Sequence, residues 1–446
     1  MIGLIEAPVS FLEKFGIEVK WLLTALGLGL AFFAFSFLEL KSNTVWEVMI
    51  ATAPLWLPFV TFLLFFEHWL LFVQKEFDIK QGRTTLEIKL PQEILKSPEA
   101  MELVLIQLHQ TATPDNHHQT YWDGKHPPKY GLELVSRGGD VRFYINVPTK
   151  KFKNILETQL YAQYPGIEVH EMEIDYTAEI PWDTDTFSYF SIHFGLKKAD
   201  AYPIKTYIEY GLDKMPEEEE KVDPITPMLE MLGSVGPDEH VWIQVLIDAN
   251  RDQDFKVGSL TLVPDWKGEA REQVKEIIKN AAKRVGVKEE MIGTNVNQLL
   301  TDTEKDTIKA IERSLGRNAF NTAIRGMYIA KKEAFNPGER VGAIITGWRG
   351  YDDLNRNAIG VRWRTDFDWN WWQDPTEKKR TAMKKEELHE YKRRAYTHHN
   401  HLDTPKVMTT EELATIFHLP GKVANTPTLA RIPSKRAEPP ANLPIG

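Results

Sequence analysis

The sequence predicts an α+β protein in which an N-terminal two-helix transmembrane hairpin is followed by a ferredoxin-like βαββαβ unit and a second α+β unit. Three observations predict it. Two charge-free runs, Trp21–Leu38 and Val48–Phe66, lie close together near the start. Behind them, strand-like alternation and helical three-four spacing follow one another in the order β-α-β-β-α-β. Past residue 181 strands and helices continue to alternate.

The first 20 residues alternate apolar and charged positions at near-helical spacing, as a helix lying on a membrane surface would. Residues 21–75 hold the hairpin. Each run is long enough as a helix to match a bilayer core of about 30 Å. The link "ELKSNTVWE" turns one back on the other. Lys14 and Lys20 precede the pair and Lys75, Lys80 and Arg83 follow it, whereas the turn carries only Lys41. That bias predicts a multi-pass protein of the bacterial inner membrane with both termini cytoplasmic and lipid as a partner. Pro54 and Pro58 predict a kink in the second span.

Residues 76–180 read as the ferredoxin-like domain. Its elements are the strand Thr84–Pro91, a helix opening at Ser97-Pro98, the strands "YGLELVS" and "VRFYINV" around Gly138-Gly139, a helix over Thr149–Pro165 and the strand Ile167–Glu173. Residues 181–375 read as the second α+β domain. Strands are expected at "SYFSIHFGL", "IKTYIEYGL", "HVWIQVLIDA" and "AFNTAIRGMYIAKK", with helices at Lys267–Val285, Thr303–Leu315 and after Pro337. It resembles a diverged copy of the first domain, without a sequence repeat strong enough to assert one. Residues 376–425 are a helical segment. Within it a basic helix is followed by "MTTEELATIFHLPG", where Thr409 or Thr410 caps and Glu412 or an adjacent acid closes the box. Residues 426–446 are an extended, proline-rich tail.

Composition narrows the chemistry. The chain has no cysteine, which excludes disulfides, thiolate metal sites and cysteine nucleophiles. Its net charge of −9 argues against whole-chain binding of polyanions. No phosphate-binding loop, zinc-protease motif or serine elbow occurs, so no catalytic residue, cofactor or metal site is expected and the chain reads as a non-enzyme. The histidines at 398, 399 and 401 lie on a polar stretch after a helix, and His117 with His118 sit in a loop without a carboxylate at suggestive spacing, so neither group reads as a metal site. The stretch Gly347–Pro375 crowds tryptophan with arginine. Core packing is the first reading of it and membrane or partner contact the second. Third is single-stranded nucleic-acid binding through Arg349, Arg362, Arg364, Trp369, Trp371 and Trp372, against which the interleaved aspartates weigh.

The phrases "TLEIKLPQEILKSPEAMELVLIQLH", "LETQLYAQYPGIEVHEME", "DPITPMLEMLGSVGPDEHVWIQVLI", "MTTEELATIFHLPG" and "SKRAEPPANLP" occur in that order. Together they resemble the membrane-anchored N-terminal region of bacterial type IV secretion or conjugation-type ATPases of the FtsK/HerA-like class. In those relatives the last phrase leads into a RecA-like motor, of which this sequence carries no motif. The resemblance implies a membrane-anchored assembly component of a DNA- or protein-transfer machine. It would recruit a separate hexameric P-loop ATPase and be a homo-oligomer itself, six-fold by analogy. Phe417, His418, Leu419, Pro439, Pro440 and Leu443 are the candidate partner-binding residues, with Phe417 and Leu419 also able simply to seal a core.

Overall fold

The computed structural model describes residues 42–91, 96–110, 117–148, 151–213, 222–250, 266–285, 300–365, 372, 374–395, 406–421 and 431–432. The chain divides into two compact units, residues 1–73 and 74–446.

Helix α1 (Ser42–Gln81) supplies everything described in the first unit and ends in the second. It runs 40 residues without a break, through both Pro54 and Pro58. The expected transmembrane hairpin is corrected here. Among the described residues no helix is long and apolar enough to cross a membrane. The stretch 48–66 is not a self-contained span. It is the middle of a longer helix that also carries Glu47, Glu67, Lys75, Glu76, Asp78 and Lys80. The last turns of that helix belong to the α+β body, where Asp78 pairs with His126 at 3.0 Å and faces Lys129 at 3.8 Å. The membrane and transmembrane assignment, the multi-pass inner-membrane location and the orientation derived from them fall with it. The run Trp21–Leu38 and the segment 1–20 lie outside the described residues.

The second unit is built on one large sheet. Its strands are β1 (Arg83–Pro91), β2 (Lys129–Arg137), β3 (Asp140–Pro148), β4 (Glu168–Glu171), β5 (Phe187–Leu196), β6 (Glu239–Ala249), β7 (Ala319–Lys331), β8 (Ile359–Arg364), β9 (Lys406–Thr409) and β10 (Arg431–Ile432). The main path runs β10-β1-β3-β2-β6-β7-β5-β8, with β4 on β1 and β9 on β7. Every pairing is antiparallel except β1 with β10. The described α+β body therefore stands on one large, mostly antiparallel sheet.

The helices of this unit are α2 (Glu99–Leu108), α3 (His117–Tyr121), α4 (Phe152–Gln163), α5 (Thr226–Gly233), α6 (Trp266–Val285), α7 (Asp302–Leu315), α8 (Pro337–Gly347), α9 (Lys378–Arg393) and α10 (Thr410–Ile416). The run β1-α2-β2-β3-α4-β4 gives the spatial order β4-β1-β3-β2. The run β5-α5-β6-β7-α8-β8 gives β8-β5-β7-β6, the same order, with α6 and α7 inserted where the first half has a hairpin. The halves join through β2 and β6. Their nine register pairs, Lys129↔Asp248 to Arg137↔His240, centre on Glu133↔Gln244. Each half is thus a βαββαβ unit, related to the other by an approximate two-fold at that pair.

Strand alternation sends one side chain in two to each face. Leu86, Leu132, Phe143, Ile192, Ile243 and Ile324 meet Leu105, Leu160, Leu232, Ile344 and Leu413 of the helices in the main core. On the opposite face Tyr144, Tyr189, Trp242 and Met327 pack with Leu388 and Tyr391 of α9. Where β2 turns into β3, Gly138 and Gly139 adopt φ of 56° and 89°, and a Cβ on Gly139 would lie 2.9 Å from the Gly233 carbonyl. That position needs glycine on both counts.

One strand expectation fails. "IKTYIEYGL" is a succession of turns, not a strand. Two of its backbone donors are taken by side chains of α10, the Ile204 N–H donating to Glu412 at 3.0 Å and the Tyr207 N–H to the Thr415 hydroxyl at 3.0 Å, and others close turns within the segment. Those donors are not available to a neighbouring strand.

Candidate functional site

A row of side chains crosses the sheet on the α9 side. In register order it reads His170, Glu87, Tyr144, Glu133, Gln244, Arg325, His193, Trp363. Its central members Glu133, Gln244, Arg325 and His193 are buried. Each stands between apolar neighbours in its strand, as in "LEL", "IQV", "IRG" and "IHF".

Helix α9 roofs the middle of this row. Gln244 donates to Glu133 at 2.7 Å and accepts from Arg325 Nε at 2.8 Å. Arg325 Nη2 donates to the Glu390 carbonyl at 2.8 Å. Arg394, just past α9, grips Glu133 with Nε and Nη2 at 2.9 and 3.0 Å and reaches Asp175 at 2.8 Å. Glu387 of α9 bridges His193 Nε2 at 2.6 Å and the Ser191 hydroxyl at 3.0 Å. Tyr391 lies against Trp242, with ring centroids 5.3 Å apart, and near the Tyr176 hydroxyl at 3.2 Å. The helix therefore ties the two halves of the sheet together across their seam.

The electrostatics follow from burial opposed by pairing. Burial pushes the Arg394 guanidinium down, but Glu133 and Asp175 beside it hold it well above its usual range. Burial pushes the Glu387 carboxyl up. The His193 hydrogen bond and the charges of His193 and Arg325 together reverse that and leave it below the usual carboxylate range. Burial lowers Arg325.

Ser191, His193 and Glu387 are the residue types of a hydrolytic triad, but the arrangement is wrong for one. The nucleophile of a triad hydrogen-bonds to the histidine, which the acid orients from behind. Here the carboxylate takes bonds from both partners. The group is architectural.

A second polar cluster surrounds α10, all seven residues of which are buried. Thr409 and Glu412 form a reciprocal capping box at its start. Glu411 accepts from the Thr206 hydroxyl at 2.6 Å and pairs with Arg313 at 3.0 Å. Glu102 of α2 accepts from Tyr207 at 2.6 Å and from Thr410 at 3.0 Å, and pairs with Arg317 at 3.2 Å. His418 meets both oxygens of Asp223 at 3.1 Å. Burial lowers the imidazole, and the Asp223 charge and hydrogen bond more than restore it, so it lies above its usual value. Burial pushes Glu412 up to about 7 in spite of the three hydrogen bonds it accepts.

The residues singled out from sequence fall in several places. Phe417, His418 and Leu419 are buried behind α10 and present no surface to a partner; Phe417 lies edge-on to Phe143. Pro439, Pro440 and Leu443 lie outside the described residues. In the tryptophan-rich stretch, Trp348 packs against Phe194 and Trp363 against His193, both buried. Trp372 is exposed, as are Arg349 and Arg362; Arg362 donates to the Leu196 carbonyl, and Arg364 is half-buried. Trp369 and Trp371 lie outside the described residues, as do the histidines at 398, 399 and 401. His118 faces Asp123 at 3.5 Å. Among the described residues no group of three or more His, Asp or Glu side chains is placed to hold a metal ion.

The residues that organise both clusters, Glu133, Gln244, Arg325, Glu387, Arg394 and Glu411, were not singled out. For Glu133, Gln244 and Arg325 the signal was present in the isolated polar residue amid apolar strand neighbours; Glu387, Arg394 and Glu411, on or beside polar helices, carried no such mark. No curated protein and no solved structure matches the chain. A family model described as a domain of unknown function, DUF8128, matches residues 75–431, which is the α+β body from the end of α1 to β10. The chain belongs to the DUF8128 family.

Proposed function

We propose that this chain is a non-enzymatic assembly module that docks a separate hexameric P-loop ATPase in a type IV secretion-like machine transferring DNA or protein. The machine comes from the resemblance of the quoted phrases. The observation that carries the docking role is the course of the C-terminal segment. After α10 the chain is locked into the core at Phe417–Leu419, and it then reaches the sheet edge as β10, parallel to β1 at Leu90 and Pro91. The residues that follow start from an edge, where an extended segment can meet another chain. The ion pairs around α10 support the same reading, because they fix the stretch from which the C-terminal segment departs.

Deleting residues 433–446 tests this. The expected result is a chain with unchanged circular dichroism that no longer retains a co-expressed P-loop ATPase of the type IV secretion class during co-purification. Undiminished retention of the ATPase overturns the reading.

A further inference from the structure

Helix α9 is held by one narrow stripe. Of its 16 residues only Glu387, Leu388 and Tyr391 are buried, joined by Arg394 just beyond its end. The rest of "KKRTAMKKEELHEYKR" is polar and faces outward or is half-buried, apart from Met383 and the alanine beside it. The residues bounding the helix, Glu377 and Arg394, have φ of 53° and 54°, and they are the two non-glycine residues with positive φ among those described. A left-handed conformation is unfavourable for such side chains. The seated helix therefore combines few apolar anchors with backbone strain at both ends, the profile of an element that opens locally before the whole fold does.

The seat beneath it is complete without it. Ser191 and His193 receive a carboxylate, Arg325 a helix carbonyl, and Glu133 with Asp175 a guanidinium. Trp242 receives a phenol ring. All of these groups belong to the sheet or to the segment after β4, none to α9. The seat thus selects a helix that carries Glu, Tyr and Arg at positions i, i+4 and i+7. A second copy of this chain presents that set in its own Glu387, Tyr391 and Arg394. The 13 residues between β8 and α9, and the 12 between α9 and β9, give each connector a reach of about 40 Å at about 3.3 Å per residue.

We propose that this face is a helix seat occupied reversibly by α9, so that the α9 of a second copy can take the place of the chain's own. Exchange of an identical element between protomers needs no contact that the single chain does not already make. Charged groups released from under the helix regain water, which lowers the cost of vacating the seat compared with an apolar one.

The test uses the full chain and a labelled peptide of residues 376–396 standing for the α9 of a second copy. In a chain carrying Glu387→Ala and Arg394→Ala, the resident helix loses its two buried charged contacts and keeps only weaker ones, such as those to its Glu390 and Tyr391 carbonyls, while the seat keeps its own groups. The peptide is expected to bind this variant saturably and at least tenfold more tightly than the wild type. A peptide with the same two substitutions is expected to bind neither. Absence of saturable binding to a variant with wild-type circular dichroism overturns the proposal. Should the variant fail to fold, amide hydrogen exchange on the wild-type chain decides. Amides of α9 exchanging at least tenfold faster than those of β2 and β6 support reversible seating, and equal protection overturns it.

Discussion

Arg394 neutralises a carboxylate that the sheet buries completely. Glu133 has Gln244 and Arg394 as its hydrogen-bond donors on Oε1 and Tyr176 and Arg394 on Oε2. Removing the guanidinium leaves a buried charge without its counterion, which is far costlier than never having had the pair. Arg394→Met is therefore expected to lower unfolding free energy by about 3–5 kcal/mol in urea denaturation. Glu133→Gln added to it is expected to recover part of that loss, since the charge left behind is then gone. Glu412 makes a claim of opposite character. Its carboxyl is raised from 4.5 to about 7, so the folded chain keeps a proton that the unfolded chain releases. Stability from this group is complete below about pH 4.5 and falls as pH rises towards 7, by a total of about 3 kcal/mol. His418, raised by Asp223, adds a loss in the same direction as it deprotonates. Glu412→Gln, an uncharged side chain of the same shape, is expected to flatten the decline between pH 5 and pH 8 in denaturation midpoints, leaving only the His418 part. An unchanged decline would place Glu412 among ordinary, ionised carboxylates.

Short elements here owe their form to side chains far away in sequence. Helix α10 has seven residues, too few for a stable isolated helix. It persists because Thr409 and Glu412 close its first turn and because every one of its residues is buried. Thr409→Ala removes one half of the box and the hydroxyl that Glu412 accepts from, so a loss of about 1–2 kcal/mol is expected in thermal or chemical unfolding. The capping box was legible in "TTEE", since it is a local rule read over four residues. The fate of "IKTYIEYGL" was not. Its alternation reads as a strand, yet two of its donors are claimed by Glu412 and Thr415 more than 200 positions away and others close local turns. Likewise "VMIATAPLWLPFVTFLLFF" has the length and lack of charge of a span, but it is continuous with a polar last third that pairs with His126. Periodicity reports what a segment favours by itself and is blind to which distant group satisfies its backbone. The buried polar row was half legible: a lone Glu, Gln, Arg or His amid apolar neighbours marks a group needing a partner, though nothing local says that α9 supplies it.

Across the second unit the two βαββαβ halves share one sheet, with an apolar cluster on each of its faces. The succession of elements along the first half could be read from its sequence because its connections are short and its hairpin is marked by Gly138-Gly139. The second half hides the same order behind the insertion of α6 and α7 between β6 and β7, which breaks the spacing that a repeat search relies on. The seam decides whether either half is a domain in the folding sense. A chain of residues 74–181 alone would expose the full edge of β2, nine residues of unpaired backbone. It would also leave Glu133 without Gln244 and Arg394, and it would lack Leu413 and Phe417, which pack into the main core from the far end of the sequence. Exposed edges recruit other strands and buried unpaired charge opposes folding. The isolated half is therefore expected to aggregate or to show no dispersed amide spectrum, whereas residues 74–432 fold cooperatively with a single unfolding transition. Two separated transitions in the longer chain, or a folded and monomeric first half, would show that the seam joins two independent domains and that the buried row is an interface added to them.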